Sequence, residues 1–136
     1  MAGYSGTPLV KKLGIKEDFN ILIANAPNDF APQLELPDGV TVNGRSKQPV
    51  DFVLFFVKSQ SELEKDFSRY AARLTPAGML WISWPKKTSG VQSDLNENIV
   101  REIGLAKGMV DIKVCAVDDV WSGLKFVFRL KDRPKK

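Results

Sequence analysis

Asp51-Phe-Val-Leu-Phe-Phe-Val57, followed further along by Leu74-Thr-Pro-Ala-Gly-Met-Leu-Trp-Ile82, is the stretch on which the fold turns. The first run opens on its only polar residue and shows no alternation, the pattern of a strand covered on both faces in a parallel sheet. Between the two runs, Ser59 and Glu62 have the spacing of a capping box, and Leu63, Phe67, Tyr70, Ala71 and Leu74 form one apolar stripe. That spacing predicts a helix from about Ser61 to Leu74. Thr75-Pro76-Ala77-Gly78 breaks it, and Met79 to Trp84 reads as another buried strand, closed by Pro85.

Working toward the start, Phe19 to Ala24 is an apolar run of the same kind, ended by Asn25-Ala26-Pro27-Asn28-Asp29. A short helix precedes it, with Thr7 as N-cap, Pro8 at the first helical position, Leu9 and Leu13 on one face and Gly14 as the stop. From Phe30 to Pro49 the chain is punctuated by Pro32, Pro37 and the turn Asp38-Gly39, with Val40-Thr41-Val42 as a short strand. Toward the end, a polar loop, Lys86-Lys87-Thr88-Ser89-Gly90, leads to a helix expected to start near Ser93 or Asp94. Leu95, Ile99, Ile103 and Ala106 would face inward, and Gly108 would stop it. Val110 to Val117 and Leu124 to Leu130 follow as strands joined through Asp118-Asp119-Val120-Trp121-Ser122-Gly123. The order α-β-(short β)-β-α-β-α-β-β implies a three-layer, Rossmann-like α/β fold, with a mostly parallel sheet and a C-terminal antiparallel hairpin.

At 136 residues the chain fits one domain. It is assigned to residues 1–130, with 131–136 as a basic tail. Twenty Lys and Arg against sixteen Asp and Glu leave a net charge of +4, placed partly at the ends. The lone cysteine, Cys115, precludes an internal disulfide and suits a reducing cytoplasm; mid-strand, it is expected to be a buried, inert thiol. There is no basic-then-apolar leader at the start and no apolar run long enough for a membrane span. Histidine is absent, which removes Ser-His-Asp and Cys-His chemistry and imidazole metal ligation. With one cysteine as well, no zinc set can be assembled.

The Asp51-led strand, the helix and the Leu74–Ile82 segment resemble the class I S-adenosylmethionine methyltransferase pattern of an Asp-led strand, a helix and a Leu-x-Pro-Gly-Gly-x-Leu-x-Ile strand. The terminal strand pair fits the hairpin that ends that fold. The resemblance implies a glycine-rich loop after the first strand and an acidic ribose ligand after the second. Here the first strand ends in Asn25-Ala26-Pro27 and the possible second in Asn43-Gly44-Arg45, so no cofactor residue is carried over and no cofactor is assigned. The chain also resembles a family of small uncharacterised bacterial proteins. That resemblance rests on Gly3-Tyr-Ser-Gly-Thr-Pro-Leu9, Lys11-Lys-Leu-Gly-Ile15, Trp84-Pro-Lys-Lys87, Lys113-Val-Cys-Ala-Val-Asp118 and Trp121-Ser-Gly-Leu124.

Ligands of open parallel sheets bind beyond the carboxyl ends of the strands. Asn25, Lys58, Trp84, Lys86, Lys87, Thr88 and Ser89 are therefore the candidate ligand-binding residues, the last four as an anion-binding loop ahead of a helix. Trp121 is the candidate partner-binding residue, or else a clamp on the hairpin. Trp81 and Trp84, three apart on one strand, point to opposite faces, with Trp81 in the core. Two readings follow. One is a non-catalytic binding or interaction module on a methyltransferase-like scaffold without the donor site, its partner a protein or a small anion. The other is an enzyme or sensor for a phosphorylated or carboxylated metabolite. Nucleic-acid binding through the basic ends ranks below both.

Overall fold

In the computed structural model, residues 8–28, 30, 34–43 and 49–129 are described. Thr7, Asp29, Pro32, Gly44, Arg45, Leu130 and the basic tail 131–136 lie outside the described residues. The elements are α1 (Leu9–Leu13), β1 (Asn20–Ala24), β2 (Thr41–Val42), β3 (Val50–Phe56), α2 (Gln60–Ala71), β4 (Leu74–Pro85), α3 (Glu97–Ala106), β5 (Met109–Ala116) and β6 (Trp121–Phe128). They form one six-stranded sheet in the order β2-β1-β3-β4-β6-β5. The pairs β2–β1, β1–β3 and β3–β4 are parallel, and β4–β6 and β6–β5 antiparallel. The α/β class, the mostly parallel sheet and the antiparallel C-terminal strands are as the sequence implies.

The lack of alternation in β3 has the expected cause: a core lies on each side of the sheet. Val53, Phe55 and Val57 pack with Leu63, Phe67 and Tyr70 of α2 and Val100 and Ile103 of α3. Phe52, Leu54 and Phe56 face the other way, toward Val10 and Leu13 of α1, Phe30, Trp81 and Trp121. Each such ring or branched chain, fully buried, contributes roughly 1.5–3 kcal/mol. The layers are also pinned by polar contacts. The Trp81 indole Nε1 donates to the Leu13 carbonyl at 2.9 Å, and the Asn20 amide donates to Asp51 Oδ2 at 2.9 Å, fixing the start of β1 against β3.

Several local expectations are corrected. Thr75–Gly78 does not separate helix from strand; it lies inside β4, because α2 already ends at Ala71 and Leu74 pairs with Val50. The register slips between Val50–Leu74 and Phe52–Met79, and this bulge accommodates Pro76, which has no N–H to give a regular ladder. In α1, Pro8 occupies the cap position itself, while Gly14 ends the helix with a left-handed φ of 88°. α3 starts after Asn96, whose side chain accepts from the Ile99 amide at 2.9 Å; Ser93 and Asp94 lie before it and serve another element. Its buried face is Val100, Ile103 and Gly104, with Ile99 half-buried and Ala106 exposed. Gly104 explains the rotation, since a Cβ there would run into the Phe126 ring. Cys115 is half-buried rather than buried.

Candidate functional site

The carboxyl ends of β1 and β3 open into a cleft of about 610 Å³, within the range of small-molecule sites. Asn25, Pro27, Phe56, Lys58, Glu62 and Trp121 are among its lining residues, with Val57, Val91 and Val120 completing an apolar wall.

Each wall has a local cause. β1 ends because Asn25 turns into the left-handed region at φ 60°, a conformation asparagine tolerates better than most residues. Its Nδ2 then donates to Glu62 Oε2 at 3.2 Å, joining the end of β1 to the first turn of α2. Glu62 is held there because Ser59 caps the helix, its hydroxyl accepting from the Glu62 amide at 3.2 Å. The connection carrying Lys58 is tied down from the far side. Ser93 Oγ donates to the Lys58 carbonyl at 2.7 Å, and Asp94 Oδ1 accepts from the Gln60 amide at 2.8 Å. At the third wall, Asp118 Oδ1 accepts from the amides of Val120 and Trp121, both at 2.8 Å, setting the turn that opens β6. Trp121 meets Phe56 edge-on, ring centres 5.0 Å apart, and Phe30 meets Phe56 at 4.9 Å. The cleft therefore has a rigid aromatic side and a polar side bearing one carboxylate, one amide and one ammonium.

Of the candidate residues, Asn25, Lys58 and Trp121 come together here. Trp84 lies elsewhere, 4% exposed in the core under α2 and α3. Lys86 to Ser89 form a short 3-10 turn and its cap, Ser89 Oγ donating to the Lys86 carbonyl at 2.6 Å. Because α3 begins only at Glu97, that loop has no helix N-terminus behind it, contrary to expectation. Sequence reasoning missed Glu62 as a cleft residue. Its signal was the capping-box spacing with Ser59, which explains where the residue sits but not that its carboxylate turns toward β1.

Asn43 was noted only for not being acidic. It has a left-handed φ of 52°, and its side chain acts as a further rung of β2. Oδ1 accepts from the Ile23 amide at 2.7 Å and Nδ2 donates to the Ile23 carbonyl at 3.1 Å. Ser83, fully buried and paired in the ladder with Phe56, has a hydroxyl with no partner among the described residues. Among those residues no cluster of His, Cys, Asp and Glu is suited to hold a metal ion. Nor is any of their helices long and apolar enough to cross a membrane.

The fold is that of S-adenosylmethionine (SAM)-dependent methyltransferases. Similar solved structures include a SAM-dependent methyltransferase from Aquifex aeolicus, with TM-score 0.61, 17% identity, and coverage of 87% of this chain and 86% of that one. The magnesium protoporphyrin IX methyltransferase of Synechocystis PCC 6803, solved with bound SAH, aligns with TM-score 0.55 and 12% identity over 89% of this chain and 78% of that one. A TehB-like SAM-dependent methyltransferase from Corynebacterium glutamicum gives TM-score 0.55 and 11% identity, covering 89% and 85%. No protein-family model and no curated protein sequence matches the chain. The reading as a non-catalytic module on a scaffold without the donor site is overturned by these neighbours, which are methyltransferases aligned over most of the chain.

Proposed function

We propose that this chain is a methyltransferase-type protein that binds SAM in the cleft at the carboxyl ends of β1 and β3. The observation that carries the reading is the Asn25–Glu62 contact, which places a carboxylate at the mouth of the cleft where the sequence pattern offered none. The residues present fit such a ligand by their chemistry. Phe56, Trp121 and the valines offer an apolar surface for a purine. The Glu62 carboxylate accepts from hydroxyl or ammonium groups, and the Lys58 ammonium attracts a carboxylate. The glycine cradle of the family pattern is replaced by a side-chain contact, since Ala26 and Pro27 stand in its place. When bound, SAM supplies an electrophilic methyl group. The chain's own part is to orient the ligand, with Glu62 and Lys58 on its polar groups and the aromatic wall on its apolar side. The lone cysteine supports a cytoplasmic setting, and the motifs beginning at Gly3 and Trp84 support kinship with the small bacterial family.

Thermal unfolding with SAM and with S-adenosylhomocysteine tests this. Ligand at 100 times its Kd adds about 2.7 kcal/mol of stability. The expected result is a rise in Tm that Glu62→Gln and Lys58→Ala each reduce. No rise with either ligand at millimolar concentration, or a rise indifferent to both substitutions, overturns the assignment.

A further inference from the structure

Further along the hairpin from the cleft, on the side of the sheet that α1 covers, the chemistry differs. Lys113 on β5 and Lys125 on β6 are directly paired in the ladder, on the side of the sheet covered by α1. Lys113 Nζ donates to the Lys12 carbonyl at 3.1 Å, drawn to the negative end of α1. Lys125 Nζ lies against the helix stop, 3.8 Å from where a Cβ on Gly14 would stand. Lys11 and Lys12 occupy the last turn of α1, and Lys16 follows two residues after Gly14. Among the described residues none of these five ammonium groups is in a salt bridge, and Asp111 is taken by Arg101 at 2.8 Å. The charges act on one another: Lys125 holds its proton less tightly than an ordinary lysine, first through burial and then through Lys113 and Lys16. Such a cluster gains by receiving an anion.

We propose that Lys12, Lys16, Lys113 and Lys125 form a docking surface for the phosphodiester backbone of a nucleic acid. The cations are spread over a helix, the loop after it and two strands, so they suit a row of phosphates better than one anion held in a pocket. Lysine ammoniums act as point charges on phosphate and read no base, so the surface positions a strand rather than selecting a sequence. The surface stands independently of the methyltransferase reading. It takes up Lys12 and Lys16 of the basic start, to which the fold adds Lys113 and Lys125, and it does not require residues 131–136.

The probe is a labelled single-stranded RNA of about 20 nucleotides, followed by anisotropy between about 50 and 200 mM salt. Binding is expected to weaken steeply with salt. The double variant Lys113→Gln/Lys125→Gln is expected to lower the slope of log K against log salt by about 1.4, two contacts at about 0.7 each for a single strand. The same difference is expected in chains lacking residues 131–136. Cys115, half-buried beside the cluster, has a thiol whose pKa burial pushes up, an effect that Lys113 and Lys12 partly offset, and it supplies a second readout. Bound RNA is expected to slow its alkylation by iodoacetamide. Melting curves establish that each variant is folded. The proposal is overturned by RNA binding that the double variant leaves unchanged, by binding that leaves Cys115 alkylation unaltered, or by binding only to inorganic phosphate or to phosphatidylserine vesicles.

Discussion

Replacing Asn43 separates the strand edge from the donor question, because this residue stands where the methyltransferase pattern calls for an acid and instead completes the sheet. Asn43→Ala removes both hydrogen bonds to Ile23, at 2.7 and 3.1 Å, and leaves the amide and carbonyl of a residue only 7% exposed without that partner. Each lost bond costs about 1 kcal/mol net. Alanine must also hold a φ of 52°, which adds about 1 kcal/mol. The expected loss is about 3 kcal/mol. Asn43→Gly loses the bonds but not the conformational ease, so its expected cost is about 2 kcal/mol. Asn43→Asp keeps the acceptor for the Ile23 amide but sets a carboxylate oxygen against the Ile23 carbonyl, so it is expected to cost more than about 1 kcal/mol, the share of the lost donor alone. Urea unfolding followed by tryptophan fluorescence reads these differences as shifts in midpoint at constant m. Substantial losses with Gly less damaging than Ala are the signature of a side chain imitating backbone. If Asn43→Ala unfolds within about 0.5 kcal/mol of the parent, or if the glycine variant is the least stable of the three, the side chain is not a rung of the sheet and the reasoning fails.

Gly104→Ala sets helix propensity against packing. Alanine gains about 1 kcal/mol in the helix but forces its methyl into the buried Phe126 ring, which is already wedged edge-on against Phe67 at 5.5 Å. With overpacking at roughly 1–3 kcal/mol, the net expectation is a lower Tm, by about 4 °C; an unchanged or higher Tm would show that α3 does not approach the sheet this closely. Lys125→Met is expected to stabilise. The fold lowers the proton affinity of Lys125, so the unfolded chain binds more protons, and stability rises with pH from the folded-state pKa to the ordinary lysine value. The methionine variant should melt higher at neutral pH and lose part of that slope; a lower Tm with the full slope retained contradicts it.

The strands were legible because β3 carries its evidence in composition: Phe52 to Phe56 are all buried, and so short a run of aromatic and branched residues suits a strand covered on both faces. Helix faces were less so. α3 offers two adjacent apolar stripes, and what chooses between them is the missing side chain of Gly104 against Phe126, a contact between residues far apart in sequence. The extent of β4 escaped for a similar reason. Thr75-Pro76-Ala77-Gly78 has every local mark of a turn, yet the pairing of Leu74 with Val50 holds it in the sheet as a bulge.

On the proposed reading of the cleft, a lost motif is weak evidence of a lost site. A glycine-rich loop and a ribose acid are one way to bring backbone and carboxylate to the end of β1; residues distant in sequence can deliver comparable groups through the fold. Here a helix cap places Glu62, an Asx conformation turns Asn25 toward it, and Ser93 and Asp94 hold Lys58 and Gln60 in position from the segment before α3. Apart from the Ser59–Glu62 cap, none of these contacts has a spacing that a pattern would register, because each joins elements that the sheet order brings together. Asn43 makes the converse point: at the position where the pattern looks for chemistry, the side chain is committed to Ile23. On the proposed reading, the donor takes its carboxylate contact from Glu62 of α2 rather than from β2. Glu62→Gln, not Asn43→Asp, is then the substitution to which binding responds.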